Sequence, residues 1–296
     1  MQCNFYSSIA EIPATTWNDL FDSENPFVQH AFLLALEASG CVSPATGWHA
    51  QHMVLTEAGQ PMAVLPLYAK NHSYGEFVFD WGWAEAYQRH GLDYYPKLLT
   101  AIPFSPVAGP RVGVRPGADT DVVFEALLSA LHQLAALHDY SSWHLLFPGR
   151  RLQSALLNMR EEGAFLHREA VQFHWFNHGY ATFDDFLATL RSSRRKNLKR
   201  ERRMVAEQGV TVERKPGMQI SDAEWEGFYQ CYMSTYRKRS GHDGYLNRGF
   251  FDQLRDAMPE KLMLVVAGRD GKIVASSLFL HDSKQLYGRY WGALQD

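Results

Sequence analysis

The chain has 296 residues, with 29 Lys and Arg against 32 Asp and Glu for a formal net charge of −3, and 46% of it is hydrophobic. That length allows one large domain or two ordinary ones, and that apolar fraction excludes wholesale disorder. No apolar run approaches the ~18–20 residues of a membrane helix, and the opening MQCNFYSSIAEIP lacks the basic and apolar regions of a secretory signal.

Residues 26–39 (PFVQHAFLLALEAS) predict a helix ending at Gly40. Residues 51–69 predict two strands joined at Ala58-Gly59-Gln60. Residues 74–83 (YGEFVFDWGW) alternate, with Phe77, Phe79, Trp81 and Trp83 on one face and Val78, Asp80 and Gly82 on the other, which predicts a strand. A Pro/Gly-rich stretch over 103–117 predicts loops and a short strand, 119–139 an amphipathic helix, 143–148 a strand, 151–162 a helix and 171–177 (VQFHWFN) a strand. Further on, 210–214 predicts a strand, and 221–239 and 247–257 predict helices. Residues 262–267, 273–281 and 285–291, with turns at Asp270-Gly271 and Ser283, predict an antiparallel meander. The stretch from Gln60 parallels the stretch from Lys272: each follows an apolar strand and a Gly-containing turn. This faint repeat predicts duplicated α+β units, residues 1–170 and 171–296, with the boundary near 168–178.

The charge is unevenly spread. Residues 191–203 (RSSRRKNLKRERR) hold eight Lys or Arg against Glu201, a net +7 in thirteen residues that leaves −10 for the other 283. Thr182 as N-cap, Asp184 and Asp185 in a first turn, an apolar stripe from Phe183 to Val205 and a stop at Gly209 predict one helix over 183–208. Charge runs are usually solvated helix faces. Like charges at i,i+4, such as Arg191/Arg195, Arg195/Lys199 and Lys199/Arg203, nonetheless destabilise a helix, and an anion offsets them. The sharper reading is therefore an anion-binding helix.

Several long motifs remain: 73–84 (SYGEFVFDWGWA), 94–99 (YYPKLL), 103–111 (PFSPVAGPR), 172–175 (QFHW), 194–203 (RRKNLKRERR) and 287–292 (YGRYWG). Together they resemble the peptidoglycan biosynthesis/recognition family within the GNAT (acyl-CoA N-acyltransferase) superfamily, related to the Fem-type aminoacyltransferases. The resemblance implies an α+β fold of two tandem GNAT-like units, with mixed, mostly antiparallel sheets flanked by helices. It implies transfer of an acyl or aminoacyl group to an amine, on a small molecule or a cell-wall precursor, from acyl-CoA or aminoacyl-tRNA and without a metal. It also predicts a helix and more strands after 287–292, so the second unit reads as truncated at its C-terminus, with a poorly supported last strand. Neither half carries the Q/RxxGxG/A signature of a coenzyme A cradle.

Acyl transfer to an amine needs a neutral acceptor, donors for the oxyanion and a proton for the leaving group. Asp80 is a candidate base or amine anchor, with Glu85 the nearby alternative; the plainer reading pairs such a carboxylate with Arg89 or Lys97. Tyr287 is a candidate acid by family analogy, or a core aromatic. Residues 68–95 hold nine aromatics, which suit either a core or a groove; Trp81, Tyr87, Tyr94 and Lys97 are its candidate binding residues. Arg194, Arg195, Lys196, Lys199 and Arg203 would meet donor phosphates, whether of coenzyme A or of tRNA, and Arg289 and Trp291 complete the candidate set. His174/His178 and His49/His52 read as structural histidines, since no metal-binding pattern accompanies them. Serine hydrolase, P-loop and Rossmann motifs are absent from the sequence. Three scattered cysteines, Cys3, Cys41 and Cys231, fit a reducing, cytoplasmic setting. The basic segment also allows peripheral membrane contact. The competing function is a non-catalytic binder of cell-wall precursors or another anionic ligand, and a weaker one is non-specific nucleic-acid binding through the basic helix.

Overall fold

The computed structural model describes residues 1–158 and 165–294. The first half runs β1 (Gln2–Tyr6), α1 (Ala14–Phe21), α2 (His30–Ala38), β2 (Trp48–Ala50), β3 (His52–Glu57), β4 (Gln60–Leu65), β5 (Tyr68–Lys70), α3 (Trp81–Arg89), β6 (Lys97–Thr100), β7 (Gly113–Val114), α4 (Thr120–Leu137), β8 (Trp143–Leu145) and α5 (Arg150–Asn158). The second half runs α6 (Phe183–Ala188), α7 (Ser192–Glu207), β9 (Thr211–Pro216), α8 (Asp222–Ser240), α9 (Arg248–Ala257), β10 (Leu262–Arg269), β11 (Lys272–His281) and β12 (Leu286–Ala293). The described residues form three four-stranded sheets, ordered β1-β3-β4-β7, β2-β5-β6-β8 and β12-β11-β10-β9. All pairings are antiparallel except β6 with β8.

The two halves repeat one plan. Strand, two helices and a hairpin recur in the same order, as β1-α1-α2-β3-β4 with the short β2 inserted before β3, and again as β9-α8-α9-β10-β11. The hairpin turns match: Ala58 and Gly59 have φ of 48° and 76°, Asp270 and Gly271 of 52° and 71°. This is the left-handed pair that lets a two-residue turn follow the strand twist. In each hairpin the register slips between the third and second residues before the turn, at Leu55/Thr56 and at Ala267/Gly268. The residue skipped opposite the slip, Met62 or Val274, offers its carbonyl to the next strand, to Arg115 N and to Leu294 N, each at 2.8 Å. That strand carries a glycine against the first helix of its unit. A Cβ on Gly113 would lie 2.8 Å from Phe21 N, and one on Gly292 1.8 Å from Cys231 O. Two tandem α+β units are thus written into the backbone.

One core joins them. It contains Trp17, Phe27, Phe32 and Trp48 from the first unit and Trp225, Phe228, Phe250 and Leu278 from the second. Phe32 on α2 meets Phe250 on α9 edge-on at 5.7 Å. A second cluster packs α4 on the first unit's sheets through Val123, Phe124, Leu127, Leu131 and Leu134. α4 has the length of a membrane span and a mean hydropathy of 1.2; one apolar stripe of it is buried on a sheet while most of its residues are not buried, the pattern of an amphipathic helix.

Four sequence expectations are corrected. Residues 74–83 are not a strand: 81–83 open α3, and over 74–80 Ser73, Glu76 and Asp80 turn inward toward Lys97 while Phe77 takes a φ of 58°. Residues 171–177 are an exposed, irregular stretch, so His174 and His178 share no strand face. The basic helix over 183–208 is two helices, α6 and α7, since α6 ends near Ala188 and Arg191 caps a new start with extended backbone. The last strand, expected to be poorly supported, pairs with β11 from Leu286 to Ala293 and packs on α8. Ser234 and Thr235 of α8 bond the carbonyls of Ala293 and Trp291 at 3.0 and 2.8 Å. Of the helix expected over 151–162, residues 159–162 lie outside the described residues.

Candidate active site beside a buried lysine

Lys97 is wholly buried on β6. Its ammonium donates to Asp80 Oδ2 at 2.6 Å and to Glu76 Oε2 and Ser73 Oγ at 2.9 Å each. Tyr94 donates its hydroxyl to the same Asp80 oxygen at 2.7 Å, and Tyr95 shares a hydrogen bond with Ser73 at 2.8 Å. A buried charge is tolerated only when paired and hydrogen-bonded, and this cluster supplies both. The fold assembles it from segments 73–80 and 94–97. Asp80 stands at the N-cap of α3, so the helix start fixes one carboxylate.

Directly across the sheet from Lys97 lies Lys70 on β5. It too is buried, with its nitrogen 3.7 Å from the centre of the Trp48 ring and 3.4 Å from Tyr74 O. Burial pushes Lys70 down to about 7, with Glu76 pulling upward and Lys97 adding to the fall. Burial likewise raises the Glu76 carboxyl against the attraction of Lys97. Burial would raise Asp80 as well, but hydrogen bonds from Lys97, Tyr94 and Ser73 outweigh it and hold the carboxyl below its ordinary value. His144 is pushed down to about 4 by burial and by Lys97. Glu76 Oε1 is buried without a hydrogen-bond partner.

Adjoining this centre at Tyr94 and Tyr95 is a depression of about 440 Å³, lined also by Trp81, Glu85, Gln88 and Asp93 among others. Aromatic rings beside carboxylates suit an ammonium group or a sugar face. Trp81, Tyr94 and Glu85 therefore line one pocket. Lys97 and Asp80 do not line it but connect to it through Tyr94, whose hydroxyl bonds Asp80, and Tyr87 packs its ring 5.1 Å from Tyr94. The exposed Tyr74, Phe77, Phe79 and Trp83 continue the aromatic surface. Their residue types gave the alternation that imitated a strand.

Of the remaining candidates, Tyr287, Arg289, Trp291 and the α7 cations do not line this pocket. Glu85 is exposed and 4.0 Å from Arg89, while Asp80 is committed to Lys97, so both plainer pairings are present. Bound this way, Asp80 has lost the proton affinity a base needs. Tyr287 donates to Asp282 at 2.8 Å, receives a bond from Asn25 at 3.4 Å and packs edge-on to Phe27. Burial and Asp282 raise its hydroxyl. Arg289 reaches from β12 to Phe104 O at 2.5 Å in the first unit, and Trp291 is exposed. On α7 the cations point outward: Lys199 pairs with Asp184 at 2.9 Å, Arg203 with Glu207 at 3.5 Å, and Arg194, Arg195 and Lys196 sit on the same mostly exposed helix.

Sequence reasoning missed Lys70, Ser73, Glu76, Tyr95 and His144 as members of this centre. The signal was a pair of lysines in otherwise apolar strands, YAK and KLLT, where a core position carries a charge. Four motifs converge here and at the adjoining seam: 73–84, 94–99, 103–111 and 287–292. Arg111 anchors the third, wholly buried and bonded to the carbonyls of Leu146, Pro110 and Val107 at 2.9, 2.9 and 2.5 Å.

The chain matches the FemAB-like family, described as peptidoglycan biosynthesis/recognition, over residues 8–296. It belongs to that family. Comparison with curated protein sequences gives no match. Among solved structures, this FemAB-like chain is similar to FemX at 14% identity, with 84% of this chain and 72% of that one covered and a TM-score of 0.42. It is similar to a conserved protein of unknown function from Bacteroides thetaiotaomicron VPI-5482 at 13% identity, with 99% and 80% covered and a TM-score of 0.49. A tandem GNAT protein from the clavulanic acid biosynthesis pathway shares 12% identity, with 96% and 75% covered and a TM-score of 0.39.

Proposed function

We propose that this FemAB-like chain transfers an acyl or aminoacyl group to an amine of a cell-wall precursor, bound in the depression beside Tyr94 and Tyr95. The observation that carries this reading is the convergence of two motif segments, 73–84 and 94–99, on a buried lysine centre beside an open aromatic–carboxylate pocket. The pocket carboxylates Glu85 and Asp93 attract the acceptor as an ammonium, and the aromatic rings seat its stem. Glu85, exposed to water and not sequestered by a buried lysine, replaces Asp80 as the candidate base. It takes the ammonium proton. The neutral nitrogen attacks the donor carbonyl, an N–C bond forms, and the C–S bond of an acyl-CoA or the C–O bond of an aminoacyl ester breaks. The leaving thiolate or hydroxyl takes up a proton from water. Arg194, Arg195, Lys196, Lys199 and Arg203 on α7 meet the donor's phosphates. The units divide near residues 168–178.

Thermal-shift titration with coenzyme A and with charged tRNA tests the donor. The donor raises the melting temperature, and exchanging Arg195 and Lys199 for Glu removes that rise. No shift with either donor counts against transfer. The commitment of Asp80 to Lys97 favours a second reading, a binder without turnover, which predicts saturable muropeptide binding and no product.

A further inference from the structure

Between the two units lies a set of polar groups that the transfer reading does not use. Arg289 enters from β12 and spends one Nη on Phe104 O. Among the described residues no carboxylate pairs with it. Its guanidinium lies 5.2 Å from the Tyr290 ring and 5.9 Å from that of Phe77, which is 39% exposed, so the group edges an open surface. The Tyr290 hydroxyl lies within hydrogen-bonding reach of Ser105 and Arg289, which favour its charged form. Yet Arg289 Nε, Ser105 Oγ and the Tyr290 hydroxyl are all buried and make no hydrogen bond of good geometry. Ser105 and Tyr290 are only 2% and 5% exposed. Burying a donor without an acceptor is costly, and natural folds seldom leave three together unless something fills the place.

We propose that Arg289, Ser105 and Tyr290 form an oxyanion subsite at the seam between the units, taking a carboxylate or phosphate group of a ligand. All three are hydrogen-bond donors. The guanidinium adds a positive charge in the forked geometry that matches both anions. Each unit supplies part of the site: Ser105 from the loop after β6, Arg289 and Tyr290 from β12. The ligand therefore bridges the two units. A single ordered water could also satisfy these donors, and the test separates the two cases.

The full chain is titrated calorimetrically with inorganic phosphate and, separately, with acetate. At least one anion binds saturably, and Arg289→Gln weakens it about tenfold or more, the loss expected for hydrogen bonds to a charged group. Ser105→Ala and Tyr290→Phe weaken it by smaller factors and melt at or above the wild-type temperature, because they delete unsatisfied groups. Tighter phosphate binding assigns the site to a phosphate group, and tighter acetate binding assigns it to a carboxylate. Binding unchanged in Arg289→Gln, or no binding of either anion, overturns the site. A lower melting temperature in Tyr290→Phe with unchanged affinity also overturns it and marks a structural water. None of these readouts requires turnover, so the site stands or falls apart from the transfer reaction.

Discussion

Lys97 is the residue on which the centre depends. Replacing it with Met leaves Glu76 and Asp80 buried without their cation, and breaking a buried pair in this way costs about 3–5 kcal/mol. Urea unfolding should show that loss, and adding Asp80→Asn and Glu76→Gln should restore part of it. A loss under about 1 kcal/mol would mean that water already reaches the pair. Lys70 gives a pH signature. Its folded-state value lies near 7, below the ordinary 10.5, so between those limits the unfolded chain holds a proton that the folded chain lacks. Stability therefore rises with pH from about 7 towards 9.5, and below 7 the cost of a buried charge is fully present. Lys70→Met should be more stable at pH 7 and show a flatter profile; urea midpoints at pH 6, 8 and 9.5 check this. Neither lysine was legible in the sequence as a partner of the other. Cross-strand pairing across β5 and β6, 27 positions apart, placed them together. Asp80 was legible as important, but its burial makes it an anchor for Lys97 and Tyr94 and not a base.

Among elements, both hairpins, the helices α2, α4, α8 and α9 and the meander were readable, because period and turn chemistry agreed there. The 74–83 segment misled for a physical reason: alternate aromatics imitate a half-buried strand, whereas here the polar residues are inside and the aromatics outside. The glycine pair Gly113 and Gly292 was visible only as letters; its meaning is the contact of β7 with α1 and of β12 with α8. Gly292→Ala should push β12 off α8 and destabilise the protein by about 1–3 kcal/mol. Loss of amide-exchange protection confined first to β11 and β12 would show where the strain falls. A variant as stable as wild type would mean that the helix yields without cost. The break between α6 and α7 escaped the sequence because the apolar spacing runs through it, while the extended backbone at Arg191 interrupts it.

For the whole molecule, a core that runs from Trp17 to Leu278 makes the two units one cooperative body. Calorimetry should therefore give a single unfolding transition, and Phe32→Ala should lower it by about 3–5 kcal/mol, as truncation of a buried Phe generally does. Two separated transitions would mean that the units fold apart. The seam between them is also where the Arg289 cluster and the motif loops meet, so the same interface that stabilises the fold frames the proposed ligand path. The central claim is amine acylation in the pocket beside Tyr94 and Tyr95. The most direct measurement is mass spectrometry of a muropeptide incubated with the protein and either acyl-CoA or charged tRNA. The account predicts one acyl or aminoacyl increment on an amine, with Glu85→Gln lowering the rate at saturating muropeptide as well as weakening its binding. Saturable muropeptide binding with no mass increment from any donor would contradict it.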